Sequence, residues 1–128
     1  MTKTVKSMLE EANRDVERVD HATAQRMIEE GALVLDVRDA PEVEASGKLP
    51  GAHHVSRGML EFRADPDSPY HDDAFRKDRP VLLYCASGGR SALAGQTLKA
   101  MGYERVFNIG GFKDWAEAGG AVERPSEG

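Results

Sequence analysis

The sequence predicts an α/β domain with a mostly parallel central sheet, helices on both sheet faces, and an added N-terminal amphipathic helix. Three observations carry this expectation. The 128 residues fall within the roughly 100–200 of a single domain. Short runs rich in Val, Leu and Ile alternate with helical patterns, which implies parallel strands joined by right-handed crossovers. The runs Ala32–Val37 and Val81–Tyr84 are apolar on both faces, as strands covered on both sides are. The expected organisation is a helical extension over 1–17, the α/β domain over 18–122 and a polar tail over 123–128.

In Thr4–Glu17, Val5, Met8, Leu9, Ala12 and Val16 share one helical face, which predicts a helix docked on the domain. Arg18 and Val19 read as a short strand. Asp20 can cap the next helix, Ala22–Glu30, which Gly31 stops. After the strand Ala32–Val37, Pro41–Ala45 suits the first turn of a short helix, where the missing proline N–H costs nothing. Gly47–Gly51 reads as a loop, Ala52–Val55 as a short strand and Arg57–Arg63 as a helical turn. Ala64–Tyr70, with its Asp, Pro and Ser residues, is an irregular surface loop. Val81–Tyr84 is the clearest strand. A glycine-bearing turn, Ala86–Gly89, leads into a helix from Arg90 to Met101 with Leu93, Ala94, Leu98 and Met101 inward, ended by Gly102. Val106–Ile109 is the last strand, and Gly110–Gly111 turn the chain into a closing helix over Lys113–Ala118.

Composition removes several classes of function. Seventeen basic against 22 acidic residues leave a net charge of −5, the wrong sign for a phosphate backbone, and no basic stripe appears, so nucleic acid is not an expected partner. The longest apolar run, Val81–Ala86, is far shorter than the roughly 18 residues of a membrane span. Met1–Ala12 lacks the apolar stretch of a signal peptide. A cytoplasmic protein without a membrane partner is expected. One cysteine allows neither an internal disulfide nor a C-x-x-C pair for zinc or dithiol chemistry.

That cysteine, Cys85, ends a buried strand, and ligand sites in open α/β sheets lie at the carboxyl ends of strands. The small residues Ala86, Ser87, Gly88 and Gly89 allow successive N–H groups to curl into an anion-binding concavity over a helix start. Arg90 adds a forked cation. Both features favour a thiolate. Lowering a thiol pKa from about 8.5 to about 6.5 raises the thiolate fraction about 25-fold, while nucleophilicity falls about eightfold, a net gain of only about threefold. The larger contribution is then to position an anion and stabilise charge on a covalent intermediate, where one preorganised donor is worth about 3 kcal/mol. Covalent group transfer follows. A buried structural cysteine is the plain alternative, and the glycine turn, Arg90 and the helix start argue against it. No Walker-type G-x-x-x-x-G-K-[ST] is present.

Other polar residues carry plainer readings. Asp36, Arg38 and Glu42 are expected to support the site through ion pairs and hydrogen bonds. His53 and His54 are neighbours in a strand and point to opposite faces, while His21 and His71 stand apart, so no metal site is expected. Trp115 reads as a core anchor. Ser91 is either a hydrogen bonder at the helix start or a site contact.

Cys85-Ala86-Ser87-Gly88-Gly89-Arg90-Ser91 after Val81-Leu82-Leu83-Tyr84 resembles the active-site loop of single-domain rhodaneses, which are sulfurtransferases. Leu35-Asp36-Val37-Arg38 with Glu42 and Gly47-Lys48-Leu49-Pro50-Gly51-Ala52 is similar to the family's first signature. Asn108-Ile109-Gly110-Gly111-Phe112 with Trp115 and Gly119-Gly120 is similar to its C-terminal one. The likeness runs from about Val16 to Val122 and implies a rhodanese-like domain. It further implies that Cys85 takes a sulfane sulfur from a small anionic donor such as thiosulfate, carries it as a persulfide, and passes it to cyanide, a thiol or a protein acceptor. The N–H groups of Ala86 to Arg90 would hold the outer sulfur, with Ser91 beside them, and no metal or organic cofactor is needed. Related phosphatases and arsenate reductases resemble C-x5-R; the C-x4-R of Cys85 and Arg90 favours sulfur. The sequence departs from the family at Lys48, where histidine is frequent, and at Ala86 and Ser87, where many thiosulfate-using members carry a basic residue. Arg90, Arg57 or Arg63 are the candidates to supply that charge. A persulfide relay with little turnover of small donors is the alternative reading.

Overall fold

The computed structural model describes residues 2–124. The chain runs α1 (Val5–Asp15), β1 (Glu17–Arg18), α2 (His21–Glu29), β2 (Leu33–Asp36), α3 (Ala40–Ser46) and β3 (His53–His54). A 3-10 turn, Arg57–Met59, then enters α4 (Leu60–Ala64), followed by β4 (Val81–Cys85), α5 (Gly89–Ala100), β5 (Val106–Gly111) and α6 (Phe112–Glu117). The strands form one sheet in the order β1-β5-β4-β2-β3, every neighbouring pair parallel. No helix among the described residues is long and apolar enough to cross a membrane.

The period of two along β4 splits the core. Val81, Leu83 and Cys85 face a cluster shared with Val16, Leu60, Ala94 and Leu98, beneath α4 and α5. Leu82 and Tyr84 face the opposite cluster, with Ala24, Leu49, Ile109 and Trp115, beneath α2 and α6. All five β4 residues are buried, as expected of a strand with both faces covered. Trp115 is 4% exposed and donates from Nε1 to the Ala121 carbonyl at 2.9 Å.

Helix caps follow local chemistry. Thr4 and Ser7 exchange a capping box at the start of α1, and Asp20 accepts from the Thr23 N–H at 2.8 Å, each pair satisfying N–H groups that the first turn leaves free.

Three expectations need correction. The first strand is Glu17–Arg18, one residue earlier than Arg18–Val19, although the Val19 N–H still donates to Asn108 at 3.1 Å. Val5 is 65% exposed instead of docked. Leu9 lies against Gly89, the first residue of α5, so Val5, a turn earlier, overhangs the end of α5. Leu93 is half-buried and outside the core, whereas Met101 packs against it as expected, and the buried residues of α5 are Ser91, Ala92, Ala94, Gly95 and Leu98. The sheet covers one side of this helix and α1 a second, so small residues are buried where α1 approaches. At the end of the described chain, Glu123 pairs with Lys48 as an antiparallel bridge, reinforced by their side chains at 2.9 Å. This ties the first residue of the expected polar tail to the domain; residues 125–128 lie outside the described residues.

Candidate active site around Cys85

Parallel pairing places Cys85 at the carboxyl end of the central strand, 1% exposed. The chain then turns through Gly88, whose φ of +101° is a left-handed conformation that glycine adopts without a Cβ penalty. This turn aims the Gly88 N–H at Cys85 Sγ, 3.0 Å away. The Ser91 hydroxyl lies 3.5 Å from the same sulfur.

β5 supports the turn from the side. Its register slips between Leu83 and Tyr84 of β4, so that Leu83 pairs with Asn108 and Tyr84 with Gly110. Buried Asn108 links the parts: its Oδ1 accepts from Ser91 Oγ at 2.7 Å and from the Gly110 N–H at 2.9 Å. Its Nδ2 donates to the Gly88 carbonyl at 3.1 Å. The lack of a side chain at Gly111 is required, because a Cβ there would stand 2.6 Å from the Ala86 carbonyl oxygen. Asn108 is the site residue that the sequence reading did not single out. A lone amide in an otherwise apolar strand was its signal, since a buried polar group needs partners.

Burial pushes the Cys85 thiol up. Against it act the Ser91 hydroxyl and the N–H groups of Ser91, Gly88 and Ser87, and together they win, leaving the pKa below its ordinary value. The arrangement favours negative charge on the sulfur by directed donors.

Arg90 and Glu42 meet across the molecule in a bidentate pair, Nη1 to Oε1 at 2.7 Å and Nη2 to Oε2 at 2.8 Å. The pairing holds the Glu42 carboxyl down at about 2 and raises Arg90 above its ordinary value. The expected Arg90 fork for a bound anion is thus already filled by Glu42, and Arg90 clamps α3 to the start of α5. Asp36 and Arg38 do a different task. Arg38 bonds Asp36 at 2.7 Å, Ser46 Oγ at 2.8 Å and the Gly47 carbonyl at 2.6 Å, while the Tyr84 hydroxyl donates to Asp36 at 2.7 Å. They brace the segment from Ser46 to Leu49 and, unlike Glu42, make no hydrogen bond to the Cys85 loop.

Ala86 and Ser87 are exposed, Gly88 is buried and Gly89 is half-buried. Arg57 is spent on Glu61 at 3.0 Å and on Thr97 at 3.1 Å, about two turns along α5 from the loop. The charge of Arg63 acts on Asp72. The guanidinium packed beside the loop belongs to Arg18 instead, lying over Gly110 and 3.6 Å from where a Gly88 Cβ would stand. His53 pairs with Asp72 and His54 with the Arg38 carbonyl at 2.7 Å, so the two rings are directed to different partners.

Comparison with known proteins agrees with this architecture. The uncharacterized protein YqhL of Bacillus subtilis is 36% identical over 85 residues, 66% of this chain and 60% of YqhL, so the match spans less than two thirds of that relative. The thiosulfate sulfurtransferase GlpE of Pseudomonas fluorescens is 32% identical over 103 residues, 79% of this chain and 85% of GlpE. A Rhodopseudomonas palustris protein of unknown function, called a possible tyrosine phosphatase, superposes with a TM-score of 0.88 at 42% identity, covering 96% of both chains. The rhodanese-like domain model matches residues 20–118, and with a cysteine held by loop N–H groups at the end of its central parallel strand, this chain belongs to the rhodanese-like domain family.

Proposed function

We propose that the protein is a sulfurtransferase that carries sulfur as a Cys85 persulfide. The Cys85 thiolate attacks the outer sulfur of a donor such as thiosulfate. The donor's S–S bond breaks, and sulfite leaves with the bonding pair. The outer sulfur of the new persulfide carries the negative charge, near the N–H groups of Ala86 to Arg90. A thiolate or cyanide then attacks that sulfur and Cys85 departs as thiolate, so no net oxidation and no cofactor are needed. The observation that supports this best is the Gly88 N–H at 3.0 Å from Sγ, because a donor fixed before reaction stabilises developing charge at no reorganisation cost.

Intact mass spectrometry tests the reading. Thiosulfate should add about 32 Da, one sulfur held covalently, cyanide should remove it, and Cys85→Ser should gain nothing. A wild-type protein that gains no mass from thiosulfate, mercaptopyruvate or a protein persulfide sinks the proposal.

A relay that receives sulfur from another protein's persulfide is the second reading. It is favoured by the filled Arg90 fork together with Ala86 and Ser87 in place of basic residues, so the loop's own side chains offer a small inorganic dianion no unpaired cation. Loading from a protein persulfide without turnover of thiosulfate would select it. Phosphatase chemistry has less support: the tight Glu42–Arg90 pair occupies the forked donors that a phosphate needs.

A further inference from the structure

A shallow groove of about 320 Å³ lies between α3 and α6 and reaches Ala86, the residue after Cys85. Ala45, Ala86 and Phe112 supply apolar surface. The charged groups lining it differ in their freedom. Arg38 lies over the Phe112 ring at 4.5 Å, but its donors are engaged by Asp36, Ser46 and Gly47. Glu42 is bound to Arg90. Lys113 has a loose partner, Glu117 at 3.9 Å, and the two side chains are 83% and 65% exposed, so its charge is available at the rim.

The volume stands at the lower end of the roughly 300–1,000 Å³ of small-molecule sites. Apolar walls with one free cation suit an organic anion better than an inorganic dianion, which would lose hydration without hydrogen bonds in return. We propose that this groove is the acceptor subsite and takes an organic thiol bearing a carboxylate, with its carbon chain on Phe112 and Ala45 and its carboxylate at Lys113. The inference rests on the sulfurtransferase reading. In the step it serves, the acceptor thiolate bonds to the outer persulfide sulfur, the bond from that sulfur to Cys85 Sγ breaks, and Cys85 leaves as thiolate. The product is the acceptor's persulfide.

Persulfide-loaded protein is offered 3-mercaptopropionate, or 2-mercaptoethanol as an uncharged thiol, and the discharge rates are compared. Lys113→Gln should lower the preference for 3-mercaptopropionate about threefold, the scale of an exposed ion pair, and Lys113→Arg should keep it. In parallel, 3-mercaptopropionate is titrated into the Cys85→Ser variant, with amide NMR shifts as a readout independent of sulfur transfer. Shifts centred on Ala86, Phe112 and Lys113 support the groove. An unchanged preference in Lys113→Gln, or shifts elsewhere, overturns the groove and leaves the sulfurtransferase reading intact. Failure of Cys85 to load with any donor overturns the acceptor role together with the reading beneath it, whatever the shifts show.

Discussion

Cys85 is nearly inaccessible, yet its thiol titrates below the ordinary range because directed donors outweigh the cost of burial. The thiolate is the nucleophile, so the rate of persulfide loading should rise with pH through a folded pKa lower than that of an ordinary thiol and level off above it. Ser91→Ala removes one donor and should move that rise to higher pH; a thiolate absorbance titration alongside the rate profile checks it. The single Ser91 hydroxyl proton is shared between Asn108 Oδ1 at 2.7 Å and the sulfur at 3.5 Å, so the displacement should be small. Asn108→Ala would leave the Gly88 carbonyl and the Gly110 N–H without their side-chain partner, and should cost about 2–3 kcal/mol in urea unfolding. Cys85 and its small neighbours were legible because left-handed glycine turns and helix starts have local signatures. Asn108 was quoted as part of a motif, but its task depends on groups 17 and 20 residues away in the chain, which no local pattern encodes.

Among elements, the meeting of α1 with α5 is set by size. A Cβ at Gly95 would come within 2.9 Å of Val16 Cγ1 and 3.0 Å of Cγ2, so the helices approach because that residue is glycine. Gly95→Ala should destabilise by about 1–3 kcal/mol through overpacking, less the roughly 1 kcal/mol that alanine gains in a helix. Adding Val16→Ala should recover part of the overpacking loss, visible as coupling in a double-mutant cycle. The α3–α5 contact is set by charge. Glu42 is depressed from 4.5 to about 2, so its contribution is fully present above the unfolded pKa and disappears as pH falls through about 2. Wild type should therefore lose its advantage over Glu42→Gln between about pH 4.5 and 2, measurable as converging melting temperatures. Periodicity showed that both helices exist. It misassigned Leu93 and Val5, because which face is buried depends on what arrives from another part of the chain.

For the molecule as a whole, the buried Asp36–Arg38 pair joins β2, the Ser46–Leu49 segment and, through the Tyr84 hydroxyl, the central strand. Asp36→Asn leaves the Arg38 charge buried at 2% exposure without its counterion, and should cost about 3–5 kcal/mol. Domains of this size have about 5–15 kcal/mol in total, so a large fall in the denaturation midpoint is expected. The sequence by itself determined the alternation of strands and helices, the doubly covered β2 and β4, and Cys85 at a strand end beside a glycine turn, because residue periods and glycine conformations act over a few positions. Tertiary structure alone decided that Arg90 is held by Glu42, 48 residues away, that Asn108 carries the loop, and that Arg18, not Arg57 or Arg63, packs beside the turn at Gly88. Those outcomes depend on which distant groups the parallel sheet brings within hydrogen-bond reach, and pairing of that kind has no period along the chain.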